Sequence, residues 1–81
     1  MMTRMARRAD ALECSEKDRK ALQYLSQRTV ENDRVAARAR LILYLLEGKS
    51  IRSAMEKFSI DRSMAFRWRT RFQQEGVQGL W

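Results

Sequence analysis

From Ser15 onward the apolar residues recur at intervals of three and four, the spacing of helices that bury one side, and no stretch alternates as a strand would. Ser15 opens the first helix: with Asp18 it forms a Ser-x-x-acid capping signal, and Glu16 and Asp18 suit the positive end of the helix dipole. Asp18, Ala21, Leu22 and Leu25 share one side of it, and residues 27–30 read as a connection. The second helix is predicted from Glu31 to Glu47, with Glu31 and Asp33 in its first turn and Gly48 stopping it. Val35, Ala39, Ile42, Leu43 and Leu46 make a continuous stripe, while Leu41 and Leu45 put apolar surface on a second side. A helix that is apolar on two sides sits between neighbours, so this one is the expected central beam. Ser50 caps a short third helix over residues 51–58, Ser59-Ile60-Asp61 breaks it, and Asp61 caps a fourth that ends at Gly76. A short helix, a tight turn and a longer basic helix leaning on an apolar one form a helix-turn-helix pattern. The expected fold is therefore an all-α bundle of about four helices containing a helix-turn-helix, homeodomain-like unit.

Composition narrows the chemistry. Eighty-one residues make a single small domain, and three glycines with no proline suit helices joined by short turns. Cys14 is the lone cysteine and there is no histidine, which excludes a disulfide framework and the usual zinc or haem sites. No cofactor, metal site or catalytic residue is expected, and Cys14 reads as an inert thiol. The run from Leu41 to Leu46 is too short to span a bilayer, and the basic N-terminus lacks the apolar stretch of a secretory signal. The expected location is the cytoplasm, in association with the nucleoid. A net charge of +7 favours nucleic acid as partner. Residues 1–14 read as a partly disordered basic arm carrying Arg4, Arg7 and Arg8, and residues 15–81 as the binding domain.

The charge concentrates on the last helix. Placing its residues at about 100° each brings Ala65, Trp68 and Phe72 together as a core side, with Met64 at the border. Ser63, Phe66, Arg67 and Thr70 point the opposite way, with Arg62 and Arg71 towards the flanks, and no acid interrupts the strip. Unpaired arginines on adjacent turns repel one another, and a DNA backbone removes that repulsion. In a helix-turn-helix the N-terminal part of the second helix meets base edges, which assigns Arg62, Ser63, Phe66 and Arg67 to readout. Arg67 can form a two-pronged hydrogen bond with guanine, and Phe66 can touch a thymine methyl. Thr70 and Arg71 are expected to hold phosphates, as are Lys49 and Arg52 at the start of the short helix. Arg69 lies nearer the core side and is a weaker candidate.

The residues also carry a resemblance. Arg38-Ala39-Arg40, Glu47-Gly48, Ser50, the turn Phe58-Ser59-Ile60-Asp61, and then Arg67-Trp68-Arg69, Arg71-Phe72, Glu75-Gly76-Val77 and Gly79-Leu80 resemble the N-terminal DNA-binding region of bacterial insertion-sequence transposases related to mariner. The similarity runs from about Ala9 to Leu80, and its most specific part is the Trp–Phe–Glu-Gly–Gly-Leu tail. It implies a helical domain that binds terminal inverted repeats, with DNA cutting and joining done by a separate three-carboxylate domain or chain using magnesium or manganese. The chain ends at Trp81, where such proteins continue into that domain, so it is expected to bind DNA and not to cut it. Ser59 where glycine is usual, Met55 where a small residue is usual and Met64 where threonine is common depart from the pattern. Two other readings compete. One is a stand-alone regulator, dimeric through Leu41, Leu45 or the first helix; the other is a basic helical protein that docks an acidic partner or an anionic membrane through Phe66 and Trp81.

Overall fold

The computed structural model describes residues 12–28 and 33–81; residues 1–11 of the expected basic arm, with Arg4, Arg7 and Arg8, and Glu31 lie outside the described residues. Four helices follow in order, α1 (Glu16–Ser26), α2 (Arg34–Leu46), α3 (Ile51–Phe58) and α4 (Arg62–Glu75), and a short 3-10 helix, Gly76–Leu80, follows them. The described residues are all-α, as the spacing predicts. None of their helices is long and apolar enough to cross a membrane.

Short polar side chains set the helix starts. Ser15, Asp33, Ser50 and Asp61 accept the amide hydrogens of Asp18, Ala36, Ser53 and Met64 respectively, each satisfying one donor that the first turn leaves without a partner. Asp33 is thus the N-cap of α2 and not part of its first turn, and the helix begins later than the sequence predicts. At Asp61 the Met64 amide and the Ser63 hydroxyl hold the carboxyl below its ordinary range. Its contribution to α4 is present at neutral pH and is lost as acid takes the pH down through that depressed value.

The core gathers around α2, which touches every other element. Leu22, Ala39, Ile42, Ala54, Ala65 and Leu80 are fully buried, with Leu25 and Phe72 nearly so. The second helix differs from expectation in which side is deepest. Leu41 and Leu45 are buried, whereas Val35, Leu43 and Leu46 are half-buried. Because neighbours pack on several sides of α2, no single stripe describes its interior face. Leu41 and Leu45 consequently cannot supply the dimer surface that the regulator reading drew from them. Leu12 also joins the core, three residues before the first helix cap, and Cys14 packs against it. Burial pushes the Cys14 thiol pKa up, away from the reactive thiolate.

The break between α3 and α4 is a left-handed turn. Ser59 has φ 55° and ψ 47°, and the amides of Ser59 and Ile60 both reach the Met55 carbonyl oxygen. Serine in this conformation carries a steric cost that glycine lacks, and for that reason glycine is the common residue in such turns. Ser59→Gly should therefore raise stability by roughly 0.5–1 kcal/mol after the added freedom of the unfolded glycine is counted. Thermal unfolding checks this: a rise of several degrees is expected, and a fall would show that the Ser59 side chain contributes more than its backbone costs.

Candidate nucleic-acid interface

The orientation of α4 follows from two inward residues. Ala65 and Phe72 are buried, which leaves the opposite arc to Ser63, Arg67 and Thr70, all exposed. Arg62, Arg71, Lys49 and Arg52 are exposed as well, so the cations expected at the interface all reach solvent. They separate onto two flanks of α4. On the α3 flank, Arg62, Phe66 and Arg69 share a cleft of about 280 Å³ with Lys49 and Arg52, above a floor that includes Leu45 and Ile51. On the α2 flank, Met64, Arg67 and Trp68 share a cleft of about 370 Å³ with Arg34 and Arg38.

Phe66 is exposed, as expected, at the α3-side edge of the outward arc. It is 36% exposed and leans into the α3-side cleft, with the Arg62 guanidinium over its ring at 5.1 Å. Its ring lines that cleft, and the Arg62 guanidinium one turn earlier lies within cation–π range of it. Arg69 is half-buried and donates to Gln73 Oε1 at 3.3 Å. Arg71 lies 3.6 Å from Glu75, an exposed pair of little energetic consequence.

Trp68 was expected in the core and is instead half-buried at its edge. The Arg38 guanidinium lies 3.9 Å from its ring centre, and that of Arg71 lies at 5.6 Å. Arg38 also donates to the Leu80 carbonyl oxygen at 2.9 Å, joining α2, α4 and the 3-10 helix in one cluster. Burial, then the neighbouring charges of Arg34 and Arg71, lowers the Arg38 pKa from its ordinary value. The terminal glycines fit the same cluster. Gly76 has φ 71°, and a Cβ at Gly79 would come within 2.8 Å of the Arg71 carbonyl oxygen. This close approach seats Leu80 in the core. Arg40 is likewise structural, bonding the Ser26 and Arg28 carbonyl oxygens at 2.9 and 3.3 Å across the α1–α2 connection. The Arg38-Ala39-Arg40 run thus holds the fold together through both arginines.

These two arginines and the Arg34 position were not separable from the DNA-facing ones in the sequence. The available signal was spacing alone: Arg34 and Arg38 stand one turn apart on α2. A family profile for the homeodomain-like domain matches residues 32–81. Comparison with curated proteins and with solved structures returns no match.

The division of labour among the arginines is testable. Arg38→Gln removes the charged donor to Leu80 and the cation over Trp68, and should lower stability by about 1.5–3 kcal/mol. The salt dependence of duplex binding should stay at its wild-type slope under conditions where the variant remains folded. An unchanged melting temperature with a shallower salt slope would instead make Arg38 a phosphate contact.

Proposed function

The chain belongs to the homeodomain-like domain family, and on that premise we propose that it binds duplex DNA sequence-selectively with α4 in the major groove. The observation that carries this reading is the exposed Ser63–Arg67–Thr70 arc, set by inward Ala65 and Phe72 on a helix that follows a three-residue turn. Arg67, in the N-terminal half of α4, supplies a fork of donors suited to guanine, while Ser63 lies one turn earlier beside it. Thr70 and Arg71, further along, hold backbone phosphates, as do Lys49 and Arg52 at the start of α3.

The target we propose is a terminal inverted repeat, because the residue pattern from Arg38 to Leu80 resembles insertion-sequence transposases related to mariner. The helices described here serve recognition in this reading, and strand cleavage is assigned to none of their side chains. Selection of bound duplexes from a random pool tests it. One recurring sequence should emerge, present as an inverted pair flanking the coding DNA. Arg67→Ala should cost about 1–3 kcal/mol and relax one base position. An unbiased pool recovered by wild type and variant alike would remove readout, and a motif confined to promoters would favour a regulator.

A further inference from the structure

Resting on the duplex-binding reading, we propose that α2 also meets DNA: Arg34, with Arg71 on the same flank of α4, forms a second phosphate site opposite the one at the start of α3. Two clefts flank α4. They share no lining residue; one takes Arg62, Phe66 and Arg69 from α4, the other Met64, Arg67 and Trp68. At about 100° per residue the two sets fall on opposite flanks of the same helix. Each is rimmed by cations from a second element, Lys49 and Arg52 on the α3 side, and Arg34 and Arg38 on the α2 side.

A helix with its side chains is about 10–12 Å across, and the major groove is about 12 Å wide. A helix seated there has a phosphate strand along each flank. The α3 side serves one strand, and the α2 side is built to serve the other. No acid lines the α2-side cleft. Arg38 is already committed to the Leu80 carbonyl oxygen and the Trp68 ring. Arg34 is exposed in the first turn of α2 and forms no ion pair with any described residue. Arg34 and Arg71 both act on Arg38 as like charges, which places each of them near the Arg38 guanidinium. A phosphodiester would relieve that repulsion, and the apolar floor of Ala37, Leu41, Ile60 and Met64 suits the deoxyribose carbons next to it. The structure thus provides an arginine cluster on the α2 flank of α4, its only ion pair among the described residues the exposed Arg71–Glu75 contact, where the second strand would pass.

The test compares wild type, Arg34→Ala and Lys49→Ala on one duplex across a salt series, with single methylphosphonate substitutions scanned along both strands. Arg34 is exposed and makes no side-chain contact that the fold needs, so the melting temperature should not change. Arg34→Ala should reduce the salt slope by about one unit. It should also become indifferent to a neutral phosphate on one strand, and Lys49→Ala to one on the other strand. A wild-type slope for Arg34→Ala, or an unchanged methylphosphonate pattern, would overturn the second site while leaving duplex binding intact. Absence of duplex binding by the wild type would remove the underlying reading instead.

Discussion

Which way α4 faces is decided by Ala65 and Phe72, and the remaining assignments depend on that rotation. Phe72 has the larger effect: burying a side chain of its size contributes about 1.5–3 kcal/mol, a large share of the stability of a chain this short. Ala65 matters for what it lacks. A larger side chain there would push α4 away from the residues it packs on, since the site is fully buried. Turning the helix by one residue would carry the Arg71 guanidinium or the Gln73 amide into the position of Phe72 without a partner, at a cost of about 1–3 kcal/mol or more. The left-handed turn at Ser59 and the Asp61 cap then set where the helix begins. Ser63, Arg67 and Thr70 are presented outward because the alternatives are excluded by packing.

A second theme is that arginines of the same appearance do opposite work. Arg38 and Arg40 are consumed by backbone carbonyl oxygens and, for Arg38, by an aromatic ring. Arg28 lies 2.8 Å from the Asp33 carboxylate and 5.3 Å from the Trp81 ring. These side chains close gaps that a small apolar core leaves, with charge-assisted bonds in place of further hydrocarbon. Arg62 and Arg67 have no such commitment to the backbone. The net charge of +7 therefore overstates the number of groups ready to meet a polyanion, and geometry decides which they are.

Much of the fold was legible because its boundaries are written in local chemistry. Ser15, Ser50 and Asp61 cap through atoms one turn away, so sequence alone locates them, as it does the Gly76 stop. The depth order on α2 was not legible. With α1, α3, α4 and the 3-10 helix all packed on it, a period of 3.6 cannot say whether Leu41 or Leu43 lies deeper. The short helix at Gly76–Leu80 has no periodic signal, and its tight seat against the Arg71 carbonyl is a tertiary fact. Consequently the Trp–Phe–Glu-Gly–Gly-Leu tail, the most distinctive part of the resemblance, is explained by packing and speaks to fold more than to target. The α4 side of the candidate interface could be read from its helical wheel. The α2 side could not, because nothing in the sequence says which edge of α2 faces α4.

The central claim is that packing divides the guanidinium groups into structural and DNA-facing sets. It is tested most directly by following the arginine Nε–Hε resonances of the folded protein as duplex DNA is added. The signals of Arg62, Arg67 and Arg71 should shift and become protected from solvent exchange, while those of Arg38 and Arg40 keep their positions. Movement of the Arg38 and Arg40 signals with the α4 arginines left unperturbed would contradict it.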